Sequence, residues 1–208
     1  MTVPLTVPMT LPLTLLDYLG IAVFATSGAL VAAGKRQTVV TFFFFAVATG
    51  VGGGTLRDLL IGAPVFWIHQ NATLLVCLAA GLLVWFTPAR LWTGGALVWL
   101  DAVGLAAYAA YGAAKGLAYG AAPLPAFGMG VLSACAGGII RDLLANEPSI
   151  LLRPELYVTA AALSAGLVIA FHLAGVQPDL GGAVAVAAGF SLRAAAILGR
   201  WSLPAYRR

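Results

Sequence analysis

The chain has 208 residues, of which 62% are hydrophobic and only 9% charged, and its mean hydropathy is +1.00. A soluble domain carries about 25% charged residues, so this chain cannot clothe a water-facing surface and its solvent is lipid. The formal net charge of +4 comes from basic residues scattered at the ends of apolar segments. There is no basic stripe of the kind that binds nucleic acid, which excludes that partner.

Residues 1–14 carry Pro4, Pro8 and Pro12 and no basic start. They read as an extended or frayed lead-in rather than a cleaved signal peptide. Seven apolar segments follow, at 15–33, 38–61, 71–87, 95–114, 124–145, 156–174 and 180–199. Each is expected to span the hydrocarbon as a helix of about 20 residues. Gly, Pro and charged residues punctuate the short gaps, so the whole chain is expected to be one all-α transmembrane domain.

The first segment opens with Asp17 and contains Phe24 and Ser27. The second starts with four phenylalanines at 42–45, which cover the full helix circumference and read mostly as packing or lipid contacts. It continues through Thr49, Gly50, Gly52, Gly53, Gly54 and Thr55 to Arg57 and Asp58. The fourth segment carries Asp101, Tyr108 and, at its end, Lys115. The fifth carries Ser133, Gly137 and Gly138, then Arg141 and Asp142. Arg193 lies inside the last segment, with Asp179 too far along the helix to pair with it. Cys77 and Cys135 sit in apolar runs and read as small buried hydrophobes. His69 and His172 stand at segment edges as interface or core residues. Trp67, Trp85, Trp92, Trp99 and Trp201 mostly mark segment ends, where interface anchors belong.

Residues 50–60, GVGGGTLRDLL, are echoed by residues 134–144, ACAGGIIRDLL, 84 positions on. Asp17, Gly20, Ala22, Ala25, Gly28 and Ala29 recur at the same offset as Asp101, Gly104, Ala106, Ala109, Gly112 and Ala113, and Pro64 as Pro148. The chain is an internal duplication: 15–87 forms one repeat, 95–174 a second, and 180–199 a helix outside it. Three crossings separate matching positions, so the halves enter from opposite sides as an inverted repeat. The basic residues Lys35, Arg36, Arg90, Arg153, Arg200, Arg207 and Arg208 favour one side. By the positive-inside rule the C-terminus is cytoplasmic and the N-terminus outside.

Glycine runs at equivalent places in inverted halves point to transport. Glycine can interrupt a membrane helix, freeing carbonyls to coordinate ions, or let another backbone come close. Arg57, Asp58, Arg141, Asp142 and Lys115 must be paired, solvated or at the interface. Adjacent on a helix, Arg57 and Asp58 point apart, so partners from the other half or from helix ends are expected, in a charged clamp or a gate. Asp17 and Asp101 read as helix caps or as vestibule anions that concentrate cations. Phe24 and Tyr108 occupy equivalent positions in the core or at a constriction. Ser27, Thr49, Thr55 and Ser133 are candidate lining hydroxyls. The glycine run lacks the residues and strand–turn–helix setting of a nucleotide site. No catalytic set is visible, so an enzyme is not expected, and no cofactor or structural metal is implied.

Seven segments, the inverted 3+3 repeat and GGGTLRDLL echoed by AGGIIRDLL together resemble the bacterial branch of the trimeric intracellular cation (TRIC) channel family. Similar bacterial sequences are also filed as an uncharacterised inner-membrane family, some labelled glycine transporters. The resemblance implies a homotrimer with one pore per protomer, bordered by glycine kinks in the second and fifth helices. It implies passage of potassium and sodium as transient occupants, and an inner-membrane setting with bound lipid. The Lys-Glu-Val signature of animal members is absent here. A weakly selective cation channel is therefore the leading expectation. A secondary carrier of glycine or a similar zwitterion is the alternative, since inverted repeats also suit alternating access. A non-transporting scaffold is the third.

Overall fold

The computed structural model describes residues 11–92 and 95–204. Seven helices run in chain order: α1 (Leu11–Gly34), α2 (Val39–Leu60), α3 (Asn71–Phe86), α4 (Ala96–Ala118), α5 (Pro123–Leu144), α6 (Val158–Leu173) and α7 (Pro178–Gly199). All seven expected segments are helical. α1 begins at Leu11, so the end of the proline lead-in is helix rather than extended. Pro12 lies in the first turn, where no backbone N–H is needed. Pro4, Pro8, Arg207 and Arg208 lie outside the described residues.

Five helices are long and apolar enough to cross a membrane, whereas α3 and α6 have only 16 residues each. At 1.5 Å per residue these two reach about 24 Å, short of a hydrocarbon core of about 30 Å. Their helical stretches are shorter than the apolar segments 71–87 and 156–174 in which they lie. Each is flanked by a short 3-10 turn, Ala89–Trp92 after α3 and Ile150–Leu152 before α6.

The two halves pack through like against like. α1 meets α4 and α2 meets α5 across the centre, while α3 lies on α1 and α2, and α6 on α4 and α5. This is the 3+3 inverted repeat, with α7 added against α4 and α6. Phe24 and Tyr108, related by the 84-residue offset, meet edge to face with centroids 5.5 Å apart. The pseudo-two-fold axis therefore passes between them. Tyr108 packs on Gly20 and Phe24 on Gly104, so each ring uses the glycine of the opposite half as its floor.

The equivalent helix ends also match. α2 closes with Gly62 at φ 66° and an Ala63 N–H to Asp58 carbonyl bond of 2.9 Å. α5 closes with Asn146 at φ 53° and a Glu147 N–H to Asp142 carbonyl bond of 2.9 Å. Glycine and asparagine are the residues that best tolerate this left-handed closing geometry. Of the four phenylalanines, Phe42 and Phe45 are buried, with Phe42 edge to face on Trp85, and Phe44 is exposed. The run thus divides between buried packing positions and an exposed one.

Candidate functional site

α2 and α5 cross at their glycine runs. A β-carbon on Gly53 would collide with the Ser133 carbonyl oxygen, and one on Gly137 would lie 2.8 Å from the Thr49 carbonyl oxygen. These two contacts exchange under the repeat offset, so they form one symmetric crossing. Both helices run unbroken through their glycines. The expected helix interruption with freed carbonyls is thus corrected: here the glycines allow backbones to touch. Gly50 faces Cys77 and Ala25, Gly52 faces Ile140, Gly54 faces Phe66, and Gly138 faces the Tyr157 hydroxyl.

The hydroxyls are distributed around this crossing. Thr49 and Ser133 tuck against Gly28 and Gly112, with oxygens 2.6 Å from where a β-carbon would stand. Ser133 donates to the Met129 carbonyl at 2.6 Å and Ser27 to the Phe24 carbonyl at 2.8 Å. Thr55 instead supports the loop after α2, accepting from Trp67 Nε1 at 2.9 Å.

A charged cluster stands at each end of the bundle. At the α2 end, Arg57 places Nε and Nη2 each 2.8 Å from Asp58 Oδ1. Lys115 of the other half reaches the same carboxylate at 2.8 Å (Oδ1) and 3.0 Å (Oδ2). Asp58 Oδ2 also accepts the Phe66 N–H at 3.1 Å, tying down the returning loop. The Arg57 guanidinium lies over the Tyr111 ring, 4.9 Å from its centroid, and Asp17 stands within electrostatic reach of Arg57 and Lys115. Arg57 and Asp58 are fully buried and Lys115 nearly so.

At the α5 end, Arg141 repeats the motif with Nε and Nη2 each 2.9 Å from Asp142 Oδ1. Asp142 Oδ2 accepts the Ile150 N–H at 2.9 Å, the counterpart of Phe66. Arg141 Nη1 adds Asp101 Oδ1 at 2.6 Å and the Ser27 hydroxyl at 3.2 Å. Adjacent Arg and Asp therefore do pair, contrary to the sequence expectation, because both side chains bend toward the same interior face. The expected partners from the opposite half are present as well, Lys115 on Asp58 and Ser27 on Arg141. Asp17 and Asp101 lie well inside α1 and α4 and do not cap them. Asp101 is instead a buried ion-pair partner.

A cavity of about 510 Å³ opens beside the α5 cluster. Its lining includes Val31, Lys35, Asp101, Arg141, Asp142 and Glu147. Lys35 bonds Glu147 at 2.7 Å, linking the ends of α1 and α5. That ammonium, by hydrogen bond and charge, holds the Glu147 carboxyl below the ordinary glutamate range. Sequence reasoning missed this link, since 112 residues separate its partners. It also left Arg193 without a partner. Arg193 reaches Glu155 Oε2 at 2.6 Å and lies over Tyr157, anchoring α7 to the segment before α6. Cys77 and Cys135 are buried and free, as expected.

The sequence profile of the family described as Glycine transporter matches twice, at residues 14–89 and 98–173, with the two matches offset by the same 84 residues. The chain belongs to this family. A UPF0126 membrane protein of Vibrio cholerae is 38% identical over 92% of this chain and 82% of its own length. The UPF0126 inner membrane protein YadS of Escherichia coli is 37% identical over 90% and 92%. Among solved structures, the TRIC trimeric intracellular cation channel orthologue from Rhodobacter sphaeroides superposes with a TM-score of 0.84. It is 40% identical, over 91% of this chain and 98% of that one. A prokaryotic TRIC channel solved in potassium chloride gives 0.83 at 29% identity, over 94% and 100%. The family is one of multi-pass inner-membrane proteins with the TRIC fold, and this member is not an enzyme.

Proposed function

We propose that this protein is a passive channel for monovalent cations, potassium and sodium, with a pore in each protomer of a homotrimer. The similarity to the Rhodobacter sphaeroides channel, at 40% identity across nearly its full length, is the observation that carries the reading. The geometry supports it. A symmetric line of buried polar groups runs between two charged clusters at opposite ends of the bundle, through the Gly53 and Gly137 crossing. The path follows that line, with the crossing as its constriction and the Phe24–Tyr108 pair beside it. Gly50, Gly52, Gly54 and Gly138 let neighbouring groups approach it closely. Nothing along it resembles a rigid four-fold carbonyl filter, so discrimination between potassium and sodium is weak.

The C-terminus is cytoplasmic and the N-terminus outside, which puts the Lys35 and Arg153 end of the bundle in the cytoplasm. Membrane lipids contact α7, where an apolar groove lined by Leu16, Val103, Val186 and Phe190 suits an acyl chain. A glycine carrier is the second reading, favoured by the description of the matched family. In it Arg57 or Arg141 would meet the substrate carboxylate. Purified protein in liposomes decides between them. Discrete potassium current steps without glycine exchange are expected. Saturable glycine exchange without unitary currents would overturn the channel reading.

A further inference from the structure

The two charged clusters are related by the repeat, yet they are not identical: Ser27 on Arg141 is replaced by Tyr111 on Arg57, and one buried charge differs. Lys115 in α4 corresponds to Val31 in α1. In the α2-end cluster the Lys115 ammonium sits on the Asp58 carboxylate, so that two cations, Arg57 and Lys115, share one carboxylate, with Asp17 in the neighbourhood. In the α5-end cluster Arg141 alone faces Asp101 and Asp142. Of these three buried side chains two are anions and one is a cation, and a buried anion is costly without a counter-ion; the other charges lining the cavity, Lys35, Glu147 and Arg153, are exposed. The cavity of about 510 Å³ lies at this position, with Val31, Asp101 and Asp142 in its wall. Asp101 is 2% exposed and its Oδ2 has no hydrogen-bond partner.

We propose that the cavity beside Val31 is a binding site for a monovalent cation, held by Asp142 and the free oxygen of Asp101. It takes the place that the Lys115 ammonium fills as a tethered cation in the other half. Three further charges line the same cavity: Lys35 pairs with Glu147, and Arg153, also within reach of Glu147, is exposed to solvent, where its charge is screened. One cluster is thus closed by a cation belonging to the chain, and the other is filled by a cation from solution. A single-file path with this asymmetry loads ions at the α5 end and meets a fixed positive charge at the α2 end. This inference rests on the channel reading and deepens it by naming where the ion pauses.

The test uses the full chain purified in detergent. Its thermal unfolding midpoint is measured in rising potassium chloride, in sodium chloride, and in N-methylglucamine chloride at matched ionic strength. A ligand that binds only the folded state raises the midpoint with its concentration. The wild type is expected to respond to potassium or sodium and not to the bulky cation. Val31→Lys supplies a tethered ammonium in a cavity that has room for it, so it is expected to fold and to lose the response. Lys115→Met is expected to gain a second response, with potassium partly rescuing its stability. A wild type that distinguishes none of these salts, or a response that survives Val31→Lys, overturns the proposal. Potassium flux through the same proteins, reconstituted in liposomes, separates the two readings. Flux without a cation-specific midpoint shift removes the site and leaves the channel, and a shift without flux does the reverse.

Discussion

The backbone of Gly53 rests directly on the Ser133 carbonyl oxygen, leaving no room for a β-carbon. The contact is helix backbone on helix backbone, so neither side can rotate out of the way as a side chain would. Overpacking such a site costs about 1–3 kcal/mol. Gly53→Ala is expected to lower the thermal midpoint and the potassium flux, and Gly53→Leu to abolish folding. Gly138→Leu, which pushes against the Tyr157 hydroxyl at 3.0 Å, is expected to reduce flux as well. Gly128→Ala, with nothing within 4 Å, is the neutral control. Unchanged flux and assembly in both leucine variants would sink the assignment of the glycines to the path.

Asp58 is shared by Arg57 and Lys115, so its loss strands two buried cations. Breaking a buried ion pair by removing one partner costs about 3–5 kcal/mol. Asp58→Asn is expected to fall in that range. Lys115→Met should cost less, because Asp58 keeps Arg57. Equal losses by chemical or thermal unfolding would show that the cluster is not organised around Asp58.

Arg193 presents the opposite case. Its partner Glu155 is about one third exposed and regains water when the arginine is removed. Arg193→Met is therefore expected to destabilise less than Asp58→Asn, and to loosen α7 and the C-terminal segment. That segment is held by a Leu203 N–H to Pro154 carbonyl bond of 2.8 Å. Limited proteolysis near residues 200–204 should speed up in this variant while the core helices stay protected.

The Lys35–Glu147 pair makes a small, salt-sensitive contribution with a defined pH sign. Because the folded Glu147 carboxyl is held below its unfolded value, its contribution is present above the ordinary glutamate pKa. It is lost as pH falls through the lowered folded value. Lys35→Ala should flatten that acid limb of the stability profile at low salt and change little at high salt. An acid limb identical to wild type would deny the link in solution.

Orientation can be read with thiol reagents, since Cys77 and Cys135 are both buried. A cysteine introduced at the exposed Arg36 should react with an impermeant maleimide only after the inner face is opened. One introduced at the exposed His69 should react in intact cells. The reverse pattern would invert the topology.

Much of this molecule was legible in one dimension. Apolar length and composition determined that lipid is its solvent and that it has seven helices, because a backbone in hydrocarbon must satisfy its hydrogen bonds locally. The 84-residue echo determined the inverted halves, because an odd number of crossings reverses direction. Only the tertiary structure decided what the charges and glycines do. Whether a glycine breaks a helix or admits a neighbour depends on what lies across from it, here Ser133 and Thr49 of the opposite half. Whether Arg57 and Asp58 pair depends on which way a shared interior face bends them. Partners such as Lys35 with Glu147 and Arg193 with Glu155 are distant in the chain and carry no periodic signal. Their pairing is a consequence of packing, which brings charges together in a medium where none can stand alone.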